Sequence, residues 1–388
     1  MNGRAAQDVN PHSHREGHDQ LRILQVIGQL SRGGREFQMV QLVRGLRNRG
    51  ADVRVIAFFG GPWQPVLADE MNVPLEIVRP HLVRIPALHA RCRKWRPHVI
   101  HSHLPTANFY CRIAGRFAKV PAVIAQEGND GTEKSWVRHR LDQFFAGWSH
   151  RVIANSKRGA KGYVAHGIPQ SLMRVVYNGL DVESISKTDR QAARTLLPFG
   201  SDHLLIGVVA RLTAQKNHDL LLNAMTHLIA RYPKIRLIIV GGGELREQLE
   251  QQVALLGLGE HVHFTGDVSQ AYRYMAGFDV FVVSSVREGM CNALAEAMLV
   301  GAPAVVTDVG GNAELIEHEK RGLVVPSGDC PALVAAISQM LDNPGQARQW
   351  AQAANEHARK YFSIDALTDN VLAVYKEVLE PQGLWQSE

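Results

Sequence analysis

At 388 residues, with 45% hydrophobic and 21% charged positions, the chain has the composition of an ordinary soluble globular protein and a length that suits two domains better than one. No run of about 18 apolar residues is present to cross a membrane; the cysteines, Cys92, Cys111, Cys291 and Cys330, form no C-x-x-C pair or Cys/His cluster, which argues against a zinc site or disulfide framework and fits a reducing cytoplasm. The net charge of +6 is uneven, since residues 21–120 hold 16 Lys/Arg against 5 Asp/Glu and the remainder must sum to about −5; with no nucleic-acid motif beside it, this basic half suggests contact with an anionic membrane surface, or simply solubility.

Residues 1–20 are polar and lack an apolar core region, so they read as a disordered tail rather than a signal peptide or anchor. From Arg22 onward strands alternate with helices, the pattern of a parallel α/β sheet. Arg22 to Ile27 is the first strand, and Gly33-Gly34 follows it before a helix through Leu46, a place where glycine lets backbone approach a ligand. The spacing is not G-x-G-x-x-G, so the dinucleotide fingerprint is absent. Val53 to Phe58 is the next strand. Arg96 to Pro105 is another, with His101 and His103 at its carboxyl end, where open α/β sheets bind ligands. The strand from Val123 ends in Gln126-Glu127; Glu127 is either an acceptor contact or a solvated loop carboxylate. Ser156 is a helix cap after the strand Arg151 to Asn155, and Arg174 to Asp181 closes a first domain spanning 21–183.

A polar stretch at 184–203 reads as a linker to a second α/β domain at 204–362, with a last helical segment at 363–388. The strand Leu204 to Ala210 runs into Arg211 and Lys216, a basic pair placed to hold a diphosphate, by a forked guanidinium and a point charge. Arg236 to Glu244 is a strand with a glycine turn, and His263 to Val268 precedes the strand Asp279 to Ser285. Then comes Glu288-Gly289-Met290-Cys291-Asn292-Ala293-Leu294-Ala295-Glu296, ended by Gly301 and Pro303. The first carboxylate lies before a helix N-terminus whose unpaired amides and dipole suit a phosphate; the second lies one to two turns along it. The implied ligand has a phosphate in the middle and a sugar at each end.

These segments, in this order, resemble the retaining GT-B glycosyltransferases, in particular glycosyltransferase family 4, the group 1 transferases. The resemblance runs from residue 21 to about 380 and implies two Rossmann-like parallel-sheet domains facing each other across a cleft, with the final helix crossing back onto the first. It implies that Glu288 meets the transferred sugar and acts with His103 at the reacting centre. Gly33, Gly34, Arg211, Lys216 and the loop and helix start Gly289, Met290, Cys291, Asn292, Ala293 and Leu294 would hold the donor diphosphate. Glu296 would meet the ribose and backbone near Val268 the base. Two departures stand out: Gln126-Glu127 where many relatives carry histidine, and Asn217 where glycine is frequent.

The chain contains no Asp-x-Asp, so fixed positive charge rather than a bound metal is expected to neutralise the leaving diphosphate. The function implied is a cofactor-free, metal-independent hexosyltransferase acting on a nucleotide-sugar, UDP first and GDP or ADP as alternatives, with a glycan or lipid-linked acceptor of bacterial surface polysaccharide assembly. A cytoplasmic location, peripheral on the inner membrane, is expected, with no nucleic-acid partner. A nucleotide-sugar epimerase or hydrolase of the same fold is the alternative, and a non-catalytic scaffold a third class.

Overall fold

Both faces of a parallel strand lie under helices, so its sequence is a short, nearly unbroken apolar block. A computed structural model describes residues 20–128 and 136–385, which leaves the expected tail, Gln20 apart, outside the described residues. The apolar blocks assemble into two separate sheets, and every strand pair in them is parallel. The first contains β1 (Arg22–Gln29), β2 (Asp52–Phe59), β3 (Leu75–Ile77), β4 (Val99–His103), β5 (Ala122–Gln126), β6 (Arg151–Ala154) and β7 (Met173–Val175) in the order β3-β2-β1-β4-β5-β6-β7. The second contains β8 (Leu204–Val209), β9 (Ile235–Val240), β10 (Val262–Gly266), β11 (Val280–Val283), β12 (Ala304–Thr307) and β13 (Leu323–Val325) in the order β10-β9-β8-β11-β12-β13. Each order reverses once, between β1 and β4 and between β8 and β11, and a crevice opens off the carboxyl ends at such a switch point. The expected two-domain α/β architecture is therefore present.

Two regions differ from the sequence reading. Strand β3 and the Arg84–Trp95 helix fill a stretch with no expected elements. Residues 184–203, read as a linker, instead take part in the Val182–Ser186 and Arg190–Thr195 helices, capped by Asp181 and Asp189. Ile185 and Leu197 are buried with Phe278, and Arg190 and Arg194 both bind Asp279 at 2.6 Å. The apolar residues are too sparse to show a stripe, and the aspartate caps are what mark the helices.

The chain's last turn is architectural. The Pro344–Tyr361 helix packs in the second domain, and at Phe362 the chain crosses over: Leu180 donates its N–H to the Phe362 carbonyl at 2.8 Å, and Ile364 donates to the Leu180 carbonyl at 3.2 Å. Ser363 caps the final Ile364–Leu379 helix. Its face of Leu367, Val371, Val374, Tyr375, Val378 and Leu379 closes the core of the first domain. Glu377 binds Arg174 and Arg151 from β7 and β6, which together hold its carboxyl down to about 2.

Candidate active site

The loops after β8 and β11 are zipped together. Val286 donates its N–H to the Gln215 carbonyl at 2.9 Å, the Gln215 amide donates to the Arg287 carbonyl at 2.8 Å, and Ser284 donates its hydroxyl to the Lys216 carbonyl at 2.9 Å. Asn217 sits at φ 50°, a left-handed conformation that asparagine tolerates, which explains how it stands where glycine is frequent. This zipper delivers Lys216 Nζ to Glu288 Oε1 at 2.5 Å, and Ser285 Oγ donates to the same oxygen at 2.7 Å. Burial works against the lysine charge, but the adjacent carboxylate outweighs it and raises the Lys216 pKa above its ordinary value. Arg211 is exposed, and close enough for its charge to act on Lys216. Of the two cations expected at the diphosphate, Lys216 is thus engaged with Glu288 and Arg211 faces solvent.

The Asn292–Leu299 helix follows, with Cys291 as an N-cap that makes no side-chain hydrogen bond and Gly301 at φ 73° beyond its end. The Cys291 thiol is buried and pushed up to about 12 by that burial, with the Glu288 charge adding to it, so it is no nucleophile. Glu296 is half-buried one turn along, and burial pushes its carboxyl up to about 7. If the carboxylate form accepts donor hydroxyls, nucleotide affinity rises with pH and is about tenfold weaker at pH 6 than at pH 8. Stability without ligand has the opposite sign: the folded state keeps a proton that the unfolded chain releases near about 4.3, so stability falls as pH rises from there toward about 7. Calorimetric titration with UDP across this range should show the affinity trend in the wild type and its loss in Glu296→Gln.

The first domain meets this loop directly. Gly33 and Gly34 form the turn into the Gly34–Asn48 helix, and Gly34 lies against the Asn292 amide. Asn178 donates its side-chain amide to Asn292 Oδ1 at 2.7 Å and its N–H to the Met290 sulfur at 3.2 Å. Asn155, with its amide oriented to satisfy its neighbours, donates to the Gly128 carbonyl and accepts from Met290 N–H at 2.9 Å and Arg35 at 3.1 Å. The Met290 amide, expected at the diphosphate, is therefore taken up by Asn155. A Cβ on Gly289 would run into the Gly128 carbonyl, so the two domains meet at a glycine pair. Farther along, Glu314 from the second domain accepts from the N–H groups of Lys157 and Arg158 at 2.9 and 2.8 Å, serving the start of a first-domain helix.

Below this contact lies a buried polar cluster. His103 is 1% exposed and binds Gln25 Oε1 through Nε2 at 2.7 Å. Burial, then the charges of His101 and Arg35, hold its pKa well below the usual histidine range, so it is neutral. His101 stacks on it with centroids 4.5 Å apart and accepts from the Tyr375 hydroxyl at 2.6 Å. His103 Nδ1, His101 Nε2, Gln126 Oε1 and one Arg35 nitrogen are buried without a hydrogen-bond partner among the described residues. Such atoms are costly in isolation, so this cluster is built to be completed by a polar ligand or water. Glu127 is buried rather than solvated, accepting from Asn108 at 3.0 Å and the Tyr163 hydroxyl at 3.1 Å. Val268 is partly buried against the same apolar cluster as Leu294. Arg35, Asn155 and Tyr375 carry no motif, and only the fold brings them here.

Comparison with known proteins decides the family. The family described as "Glycosyl transferases group 1" matches residues 189–357, and "Glycosyltransferase Family 4" matches residues 32–184, so the two tile both domains. The chain belongs to the group 1 glycosyltransferases. This transferase is 27% identical over 366 residues to the phosphatidyl-myo-inositol mannosyltransferase of Mycobacterium leprae, covering 89% of this chain and 93% of that one. It is 28% identical over 298 residues to the lipopolysaccharide core biosynthesis mannosyltransferase LpsB of Rhizobium meliloti, covering 74% and 80%. Among solved structures, Anabaena HepE in complex with UDP superposes with a TM-score of 0.83 at 23% identity, covering 92% of this transferase and 100% of HepE, and establishes the GT-B fold.

Proposed function

We propose that this transferase moves a sugar from UDP-sugar to a hydroxyl of a glycan or lipid-linked acceptor, with retention of configuration and without a divalent ion. The observation that carries the reading is the Arg211, Lys216 and Glu288 constellation beside a helix start, with the half-buried Glu296 one turn on. In the step envisaged, the sugar C1–O bond to the β-phosphate breaks as the acceptor oxygen bonds to C1 on the same face, and the acceptor proton passes to the leaving phosphate. Negative charge grows on that phosphate, and Arg211 with the helix amides meets it; each charge-assisted contact contributes about 1.5 to 3 kcal/mol. Glu288 grips the transferred sugar, and neutral His103, fixed by Gln25, positions the reacting groups. HepE has also been solved with UDP-glucose, and LpsB is a lipopolysaccharide core enzyme, which supports this donor class and acceptor pathway. An epimerase or hydrolase gains no support from these matches. The first domain is proposed to rest peripherally on an anionic cytoplasmic membrane surface.

A thermal-shift screen of UDP, GDP and ADP with and without EDTA tests the donor. UDP at 100 times its Kd should stabilise by about 2.7 kcal/mol, survive EDTA and fail in Arg211→Ala. A shift that EDTA abolishes refutes metal independence, and a shift with GDP alone reassigns the base.

A further inference from the structure

The first domain exposes an aromatic surface that the cleft does not use. Phe144 is 71% exposed, Phe117 65% and Leu141 43%, on the Trp136–Ala146 and Leu104–Ala118 helices. They are not scattered: Phe117 stands edge-on to Trp148 at 6.1 Å, Trp148 to Phe145 at 4.9 Å, and Phe145 to Phe144 at 4.9 Å. The floor beneath is rigid, because the buried Arg112 ties Ser149 at 2.9 Å to Asp142 at 3.0 Å. A contiguous apolar patch of this kind on a soluble domain marks an interaction surface.

The charge around it selects the partner. Arg116, Lys119 and Arg140 are exposed, each within two residues in sequence of Phe117 or Leu141. Across residues 104–120 and 139–150 the sole acidic side chain is Asp142, and it is turned inward onto Arg112. The exposed charges these two segments contribute are therefore basic, and burial, then the charges of Arg151 and Arg116, hold the His150 pKa below its ordinary value. Aromatic side chains projecting from a basic rim fit the boundary between lipid headgroups and acyl chains, where rings insert and each cation gains from anionic headgroups.

We infer that Phe117, Phe144 and Leu141, framed by Arg116, Lys119 and Arg140, form the surface by which this protein docks on an anionic lipid bilayer. The proposal gives the peripheral contact proposed above a definite place and does not depend on the donor assignment. His103 caps the start of the Leu104–Ala118 helix, so Phe117 lies about 20 Å from it along the axis. Docking through this end leaves the mouth of the cleft open.

The test is flotation of the full chain with vesicles of phosphatidylcholine alone or mixed two to one with phosphatidylglycerol, alongside the UDP thermal shift. Wild type should float with the mixed vesicles, less so at high salt, and poorly with phosphatidylcholine alone. Phe117→Ser/Phe144→Ser and, separately, Arg116→Glu/Lys119→Glu should each reduce binding about tenfold or more while leaving the UDP shift as in wild type. Wild-type flotation of both variants, or no binding of wild type to the mixed vesicles, overturns the proposal. So does light scattering that shows a dimer lost in the Phe117→Ser/Phe144→Ser variant, which assigns the patch to a second copy of the chain. Loss of the UDP shift in wild type bears on the donor reading alone.

Discussion

Glu288→Gln is expected to lose on the order of 10² to 10³-fold in kcat while the protein remains folded. The substitution keeps the shape, and Ser285 can still donate to the amide oxygen, but the Lys216 ammonium loses the negative charge it rests on at 2.5 Å. Removing one partner of a buried pair costs about 3 to 5 kcal/mol; with side chains 16% and 7% exposed, the cost here falls toward the lower end. Melting temperature should therefore fall together with turnover. Lys216→Ala is expected to be nearly as damaging, and the double variant no worse than the more damaging single one, since the two groups act as a unit. Steady-state rates of UDP release, with the four proteins compared by circular dichroism, decide it. Wild-type turnover in Glu288→Gln removes Glu288 from the reacting centre.

Removing residues 363–388 should abolish the folded first domain. The Ile364–Leu379 helix buries Leu367, Val371, Val374, Tyr375, Val378 and Leu379 against strands and helices from the other end of the sequence. At about 1.5 to 3 kcal/mol for each side chain, the lost burial is comparable to the whole stability of a domain, about 5 to 15 kcal/mol. The deletion also takes Tyr375 from His101 and Gln25, loosening the floor beneath His103. The truncated protein should aggregate or lose its near-ultraviolet circular dichroism. A soluble chain with an unchanged spectrum would show the helix to be an accessory.

What the sequence made legible follows a physical division. All the strands but the three-residue β3 stand out as apolar blocks, and the Glu288 to Glu296 loop stands out because a carboxylate, a glycine and a helix stop fall in one short run. Contacts between the two domains carry no such local mark. Asn155 on the Met290 amide, Glu314 at the start of the Lys157–Ala165 helix, and Gly289 against Gly128 each join residues more than 120 positions apart, and ordinary residue types serve in all three. The same holds for Lys216: its sequence position suggests a phosphate ligand, whereas the zipper between the loops after β8 and β11 brings it to Glu288. Short helices at 182–195 escaped because their stabilisation comes from aspartate caps and from Arg190 and Arg194 on Asp279, not from an apolar stripe.

The return of the final helix to the first domain also fixes the order in which this protein matures on the ribosome. Strands β1 to β7 emerge before the second domain, yet the apolar surface that receives Leu367 to Leu379 stays uncovered until the Ile364–Leu379 helix has been made. At roughly 5 to 20 residues per second, the interval from the end of β7 to the end of that helix is about 10 to 40 s. For that time the nascent first domain presents an open hydrophobic groove, and the second domain, complete by Tyr361, finishes before the one that was begun first.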